Sequence, residues 1–232
     1  MSRMRVACIA VLAVLAAPGL ALAEIKVLDW NDLLPPNFFE TVDEANAVRD
    51  ELDAMPEETQ DIVYKIRRQR MLRSRLKSGE LTRKSLIPPD QALLKQELVA
   101  KHPQEAMIAD EIDRIGAQFD LLDKTPNAKL DGQTIRMPGY VLPLEFDGTE
   151  AVEFLLVPFV GACIHVPPPP PNQMVHVNFK PGFESEGLYT PVYVTGRISA
   201  IGGAHDLTLT DGAAPVETGY RLEAVTVEPY KE

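Results

Sequence analysis

One short stretch of the chain combines residue types that can bind a metal ion or act as nucleophiles. Cys163 and His165 lie two residues apart, so in an extended segment their side chains project from one face, about 7 Å apart at Cα. His176 follows in the alternating segment QMVHVNF (173–179), on the face opposite Val175 and Val177. If this segment pairs with the end of the preceding strand, the thiol and both imidazoles converge on one point.

A thiolate with two imidazoles is a soft to borderline ligand set, which favours Zn²⁺ or copper over Mg²⁺ or Ca²⁺. A closed structural zinc site has four ligands, so a fourth would come from His205, Met174 or water. The alternative is structural, with Cys163 buried as a small apolar side chain and the histidines hydrogen-bonded. With that alternative open, the sequence predicts a zinc or copper site at Cys163, His165 and His176.

Five consecutive prolines, 167–171, follow the Cys-x-His pair. They favour polyproline II, in which five residues at about 3.1 Å each span about 15 Å. Such a brace would hold Cys163 and His165 at a fixed distance from the strand of His176. Two other interpretations stay open: a proline-rich ligand for the aromatic groove of a partner protein, and a stiff loop that covers one end of the fold.

A third class of function is a Cys-dependent enzyme, in which Cys163 and His165 or His176 form a thiolate–imidazolium pair. No residue pattern identifies an oxyanion hole or a third member of such a site. The sequence also lacks the phosphate-binding, Ser-hydrolase and zinc-protease motifs. A binding function is therefore favoured over an enzymatic one.

The first 23 residues have the pattern of a secretory signal peptide. Arg3 and Arg5 precede an apolar run that ends in Ala-Leu-Ala at 21–23, which predicts cleavage after Ala23 and a periplasmic protein. The leader carries no acid, so its removal changes the net charge from −11 to −13, which argues against nucleic-acid binding. Cys163 is then the one cysteine left, and no intramolecular disulfide can form.

Composition divides the rest of the chain into an N-terminal arm with a helical region, 24–124, and a strand-rich region, 125–232. Helical spacing of apolar residues predicts one helix over 57–77 and further helices from Pro88 and Pro103. Strands are predicted at 133–146, 151–160, 173–179, 191–201 and 219–230, with a bend at the internal glycine of the first. This order predicts an α+β protein with a five-stranded OB-like barrel, and a β-sandwich is the alternative.

The long predicted helix carries a run of basic residues without an acid among them: Lys65, Arg67, Arg68, Arg70, Arg73, Arg75 and Lys77. Such a run can contact an anionic lipid surface or an acidic partner. It can also form a solvated face that pairs with the chain's own carboxylates, which is the favoured interpretation. Any membrane contact is therefore expected to be peripheral.

The Cys-x-His stretch resembles the signature of an uncharacterised bacterial exported family, Cys-x-His followed by prolines and Asn-Gln, found here within 154–173 with one extra proline. The segments WNDLLP (30–35) and LDGQTIRMPGYVLPL (130–144) are similar to the same family. The family is one of unknown function, and the resemblance implies an OB-like fold. Members are often lipoproteins encoded beside ABC-transporter permeases, which implies an accessory role in envelope transport, although here Glu24, not a cysteine, follows the leader.

Overall fold

The computed structural model describes residues 25–162, 168–185, 187–209 and 212–230. The predicted leader, together with Cys163 and His165, lies outside these residues. Within the described ranges, no helix is both long and apolar enough to cross a bilayer.

The helical region contains α1 (Phe38–Asp53), α2 (Glu57–Lys77), α3 (Pro88–Leu93), α4 (Leu98–Lys101) and α5 (Pro103–Leu122). The predicted bounds of α2 and the predicted starts at Pro88 and Pro103 are confirmed. Helix α2 has Glu57 and Glu58 in its first turn and Arg75 and Lys77 in its last, which suits the helix dipole. Its buried side chains Val63 and Ile66 pack with apolar residues of the other helices in a core of their own.

The basic run of α2 is largely neutralised within the chain. Carboxylates lie within ion-pair distance of five of its seven cations: Lys65–Asp61, Arg67–Asp113, Arg68–Asp90, Arg70 with Asp110 and Asp113, and Arg75–Glu80. Arg73 reaches the carbonyl of Leu94 at 3.5 Å. The expected pairing with the chain's own acids is confirmed, and contact with a lipid surface or an acidic partner stays a prediction.

The strands are β1 (Lys26–Val27), β2 (Thr134–Asp147), β3 (Glu150–Val157), β4 (Val175–Glu184), β5 (Thr190–Ser199), β6 (Gly203–Leu209), β7 (Gly212–Thr218) and β8 (Tyr220–Pro229). Five of them form a ring in the order β2–β3–β4–β8–β5, which closes because β2 also pairs with β5. Strands β4 and β8 are parallel and the other neighbours are antiparallel. The predicted small barrel is confirmed, and the alternative of two open, stacked sheets is wrong.

The glycine in β2 has a different role from the predicted one. The register shifts of β2 against β3 lie between Pro143 and Phe146, beyond Gly139. A Cβ at Gly139 would lie 2.6 Å from the Leu156 side chain and 3.0 Å from the Trp30 ring, closer than carbon atoms pack. Gly139 is therefore needed for close packing, and the barrel bends further along the strand.

The hairpin β6–β7 is absent from the predicted strands and lies on the outer wall of the barrel. Leu207 and Val216 are buried there against Leu155 and Met174, which point outward from the barrel wall. The segment between β5 and β8 is rich in Gly and Ala, so its weak apolar pattern reads as a loop. The hairpin gives the barrel wall a second apolar layer.

The N-terminal arm, which precedes α1, packs against the barrel. Leu28 and Leu33 are buried in the same cluster as the inward-facing barrel side chains. Tyr220, fully buried at the start of β8, donates its hydroxyl to the Leu33 carbonyl at 2.5 Å and accepts the backbone N–H of Asn127. One phenol thus joins the arm, the segment after α5 and the barrel.

We expect Tyr220→Phe to lower the free energy of unfolding by about 1–3 kcal/mol, because the buried Leu33 carbonyl and the half-buried Asn127 N–H both lose their partner. Urea unfolding measures the change. Tyr193→Phe is the matched control, since that ring is held by its face, 4.5 Å from the Arg136 guanidinium carbon. Equal stability of the two variants would contradict this role of the Tyr220 hydroxyl.

The same residue predicts a pH dependence. Burial raises the pKa of Tyr220 from 10.0 to about 12, partly offset by the Asn127 N–H. The folded state therefore holds this proton more tightly than the unfolded state, so the stabilisation is complete below pH 10 and is lost as the pH rises towards 12. Unfolding free energies measured across this range should fall less steeply in Tyr220→Phe than in the wild type.

Candidate functional site

His176 lies in the middle of β4, on the outer side of the barrel wall. The neighbouring side chains Val175 and Val177 fill the barrel interior, so the predicted alternation of this strand is confirmed. Across the wall, His176 is in register with Leu155 of β3 and Arg221 of β8. Although His176 faces outward, only 3% of its surface is exposed, because the hairpin β6–β7 covers it.

The imidazole of His176 has a close carboxylate neighbour. Nε2 lies 2.6 Å from Oε1 of Glu153, whose side chain is 34% exposed. This distance is within hydrogen-bond range, yet neither ring nitrogen has a partner with hydrogen-bonding geometry, so the carboxylate lies away from the N–H direction. An unsatisfied polar group at this depth destabilises the fold by about 1–3 kcal/mol, and such groups call for a specific explanation.

His205 of β6 covers the other side of the imidazole. The two rings are stacked, with centroids 4.0 Å apart and planes 19° from parallel. Thr218 Oγ1 lies 3.3 Å from Nε2 of His205 and holds its ring in place. Burial lowers the pKa of His205, and the neighbouring His176 lowers it further; Glu153 opposes this shift and Arg221 adds to it.

The stacking decides what His205 can do in this arrangement. A ring nitrogen binds a metal in the plane of its ring, so two nearly parallel rings 4.0 Å apart do not direct their nitrogens at one ion between them. Within the described part of the chain, no group of three or more His, Cys, Asp or Glu side chains is arranged to hold a metal ion. His205 therefore serves here as a cover for His176, and the suggested fourth ligand would require a rotated ring.

The structure places one of the three predicted ligands, His176. Cys163 and His165 lie outside the described residues, so their convergence with His176 stays a prediction. Ala162, directly before Cys163, is buried in the same cluster as Met174, and its carbonyl accepts the Tyr189 hydroxyl at 2.5 Å. His102 lies in the helical region, where its ring is 3.9 Å from Glu105, as expected for a residue outside the site.

The end of the proline segment is firmly anchored. Pro169 is buried, and Pro171 begins a short 3₁₀ helix to Gln173, so polyproline II does not extend over all five residues as predicted. The side-chain amide of Asn172 donates to the Leu122 carbonyl at 2.8 Å, and the side-chain amide of Gln173 donates to the Trp30 carbonyl at 3.0 Å. Pro169 is packed inward whereas Pro168 is exposed, so the alternative of a proline-rich ligand for a partner stays a prediction.

Residues 30–229 match the model of a family described as "Protein of unknown function (DUF3299)". The chain belongs to this family. The match includes the three segments that carry the predicted resemblance, and the assignment to an uncharacterised family is confirmed. A DUF3299 family protein from Pseudomonas aeruginosa PAO1, with a crystal structure at 2.45 Å resolution, is 24% identical, with a TM-score of 0.45 over 90% of this chain and 99% of that chain. No curated protein matches this chain.

Two parts of the arrangement around His176 are missing from the sequence prediction. One is the hairpin that brings His205 over His176, and the other is Glu153. A signal for Glu153 is present, because AVEFLLVPFV (151–160) is an otherwise apolar run interrupted by a single acid. A carboxylate in a strand buried on both faces needs a compensating partner, and the next strand provides His176.

We expect His205→Ala to make His176 accessible to diethylpyrocarbonate, because the stacked ring is the cover on one side of the imidazole. Mass spectrometry of the modified peptide gives the rate at His176. His205→Phe, which keeps a flat ring in the same place, is the matched control and should react as slowly as the wild type. Equal rates in the Ala and Phe variants would contradict the covering role.

Proposed function

We propose that this chain is an exported, non-enzymatic protein that binds one Zn²⁺ or copper ion through Cys163, His165 and His176. It would act in the periplasm as an accessory of an envelope ABC-transport system. The observation that carries this proposal is the buried imidazole of His176, whose two ring nitrogens lack hydrogen-bond partners. A metal ion would supply a partner for one of them.

The surroundings of His176 favour a cation over a neutral ligand. The carboxylate of Glu153 lies beside the ring, and electron-pair donors that face each other are stabilised by a positive charge between or beside them. Imidazole nitrogen and thiolate sulfur select zinc or copper from the common metal ions. The hairpin excludes water from this position, which strengthens the attraction of donors for a cation.

Anchors on both sides of the Cys163 segment support its part in the proposal. Ala162 is held by Tyr189 before it, and Asn172 is held by the end of α5 after it. A short connection with fixed ends loses little entropy when it closes on an ion. The accessory role in transport is proposed from the family resemblance of the sequence. A site that binds an ion without catalysing a reaction suits such a role.

We expect the purified mature protein to bind one equivalent of Zn²⁺ or Cu⁺, and Cys163→Ser and His176→Ala each to weaken binding by at least about 100-fold. Loss of partners that only support a ligand already weakens binding about 10- to 100-fold, and here a ligand itself is lost. Titration against a chromophoric chelator measures the affinity. His102→Ala, in the helical region, is the matched control; unchanged affinity in Cys163→Ser would contradict the site.

The proposed location has its own test. Expression of the full chain should yield a periplasmic protein whose intact mass begins at Glu24, because the small residues at 21–23 fit a signal-peptidase site. Ala23→Leu enlarges the side chain before the cleavage point and should leave the precursor uncleaved. A cytoplasmic protein that retains residues 1–23 would contradict export.

A further inference from the structure

Tyr64 of α2 is exposed on the helical region and lines two neighbouring clefts. The smaller cleft, of about 230 Å³, lies where α1, α2 and α5 meet, and most of its walls are apolar: Ala45, Val48, Leu52, Ile112 and Ile115. The larger cleft, of about 560 Å³, runs along α2 beside the exposed side chain of Met71. We refer to Tyr64 and these two clefts as the Tyr64 surface.

The charge of the Tyr64 surface is opposite to that of the whole chain. Its clefts are lined by four cations and one acid, a net charge of +3 against −11 for the chain: Arg49, Arg67, Arg68, Arg70 and Asp113. Arg49 has no ion pair among the described residues and donates to the side-chain oxygen of Asn46 at 2.8 Å. The exposed guanidinium of Arg68 contacts Asp90 through Nε and Nη2, and its five N–H groups exceed what this one carboxylate oxygen can accept. The surface therefore suits an acidic partner that also carries an apolar side chain.

A segment with this chemistry lies at the start of α1. The Phe39 ring is 54% exposed, which is unusual for a large apolar side chain. Glu40 and Asp43, which flank it on the helix, are also exposed, and neither has an ion pair within the described part of the chain. We refer to these three residues as the Phe39 segment. It matches the Tyr64 surface in apolar character and is opposite to it in charge.

We propose that the Tyr64 surface binds the Phe39 segment of a second copy of this chain, in a symmetric dimer. A twofold axis makes such a contact twice, because each copy supplies both surfaces. Arg49 follows Phe39 by ten residues on the same helix, or about 15 Å at 1.5 Å per residue. Two antiparallel α1 helices, with the axis near the middle of this span, bring each Phe39 segment to Arg49 and the smaller cleft of the other copy.

The charges of the two copies favour this pairing over other ways of associating. Chains that each carry −11 repel one another, and this repulsion opposes contacts between acidic surfaces. A contact that joins the acids of one copy to the arginines of the other replaces repulsion with attraction. The Phe39 ring then loses its exposure to water in a cleft with apolar walls, which stabilises the dimer. No residue of the proposed metal site takes part, so either can exist without the other.

Sedimentation velocity of the mature protein tests the dimer. We expect a monomer–dimer equilibrium with a Kd of about 10 µM or tighter, and weaker association at high salt, which screens exposed charges. Phe39→Ala and Tyr64→Ala should each weaken association by at least about 10-fold, because aromatic side chains at the centre of a contact contribute most to binding. Phe146→Ala is the matched control, since Phe146 is 55% exposed on β2, and it should dimerise as the wild type does.

An equimolar mixture of the two variants distinguishes this pairing from other contacts between copies. In either variant alone, both contacts of the dimer are damaged. In a mixed dimer, the intact Phe39 of one chain meets the intact Tyr64 surface of the other, so one of the two contacts is restored. The mixture should therefore associate more tightly than either variant by itself, because residues in direct contact are not additive.

Three results would overturn the inference. The first is a wild type that stays monomeric at about 100 µM; if that monomer sediments with vesicles of anionic phospholipid, the surface belongs to a membrane. The second is a dimer that neither Phe39→Ala nor Tyr64→Ala weakens. The third is a mixture of the variants that associates no more tightly than each alone, with circular dichroism showing that both are folded.

Discussion

The alternation of β4 is the constraint on which the site depends. This strand pairs with β3 on one side and with β8 on the other, and Val175 and Val177 have to face inward to fill the barrel. A shift of one residue would place His176 among these apolar side chains and the valines on the outer wall. The barrel core therefore fixes His176 on the outer wall.

A polar residue on the outer side of a barrel wall is ordinarily exposed to water. Here the hairpin β6–β7 covers His176 and shields it from solvent. Leu207 and Val216 attach it through apolar contacts, and this attachment brings the His205 ring to 4.0 Å from that of His176. Apolar burial of this kind, worth about 25 cal/mol per Å², offsets the cost of keeping a polar ring without hydrogen bonds. The hairpin thus creates the dry environment in which a nearby carboxylate matters.

Much of the architecture follows from local sequence patterns, whereas the site depends on long-range pairing. The period of two in β4 and the acidic and basic ends of α2 act over a few residues, so the barrel strands and the helix were predictable. The stack of His176 on His205 joins residues 29 positions apart through a Gly- and Ala-rich hairpin. No local periodicity of apolar residues predicts this contact. Glu153 was overlooked for a related reason. Its strand has an apolar pattern, and the partner of the Glu153 carboxylate depends on which residue of β4 lies beside it.

The anchors around the Cys163 segment connect the fold to the proposed chemistry. Tyr220 ties the start of β8 to the arm and to the segment after α5, while Asn172 ties the end of the prolines to the last turn of α5. The helical region and the arm thereby hold the far end of the segment, and Ala162 holds the near end within the apolar layer beneath the hairpin. Nine residues, 163–171, separate these two anchors, and the entropic cost of closing a loop between fixed ends is smaller than that of closing a free chain. The helical region therefore has a structural role in the proposed site, because it fixes one end of the segment that carries Cys163.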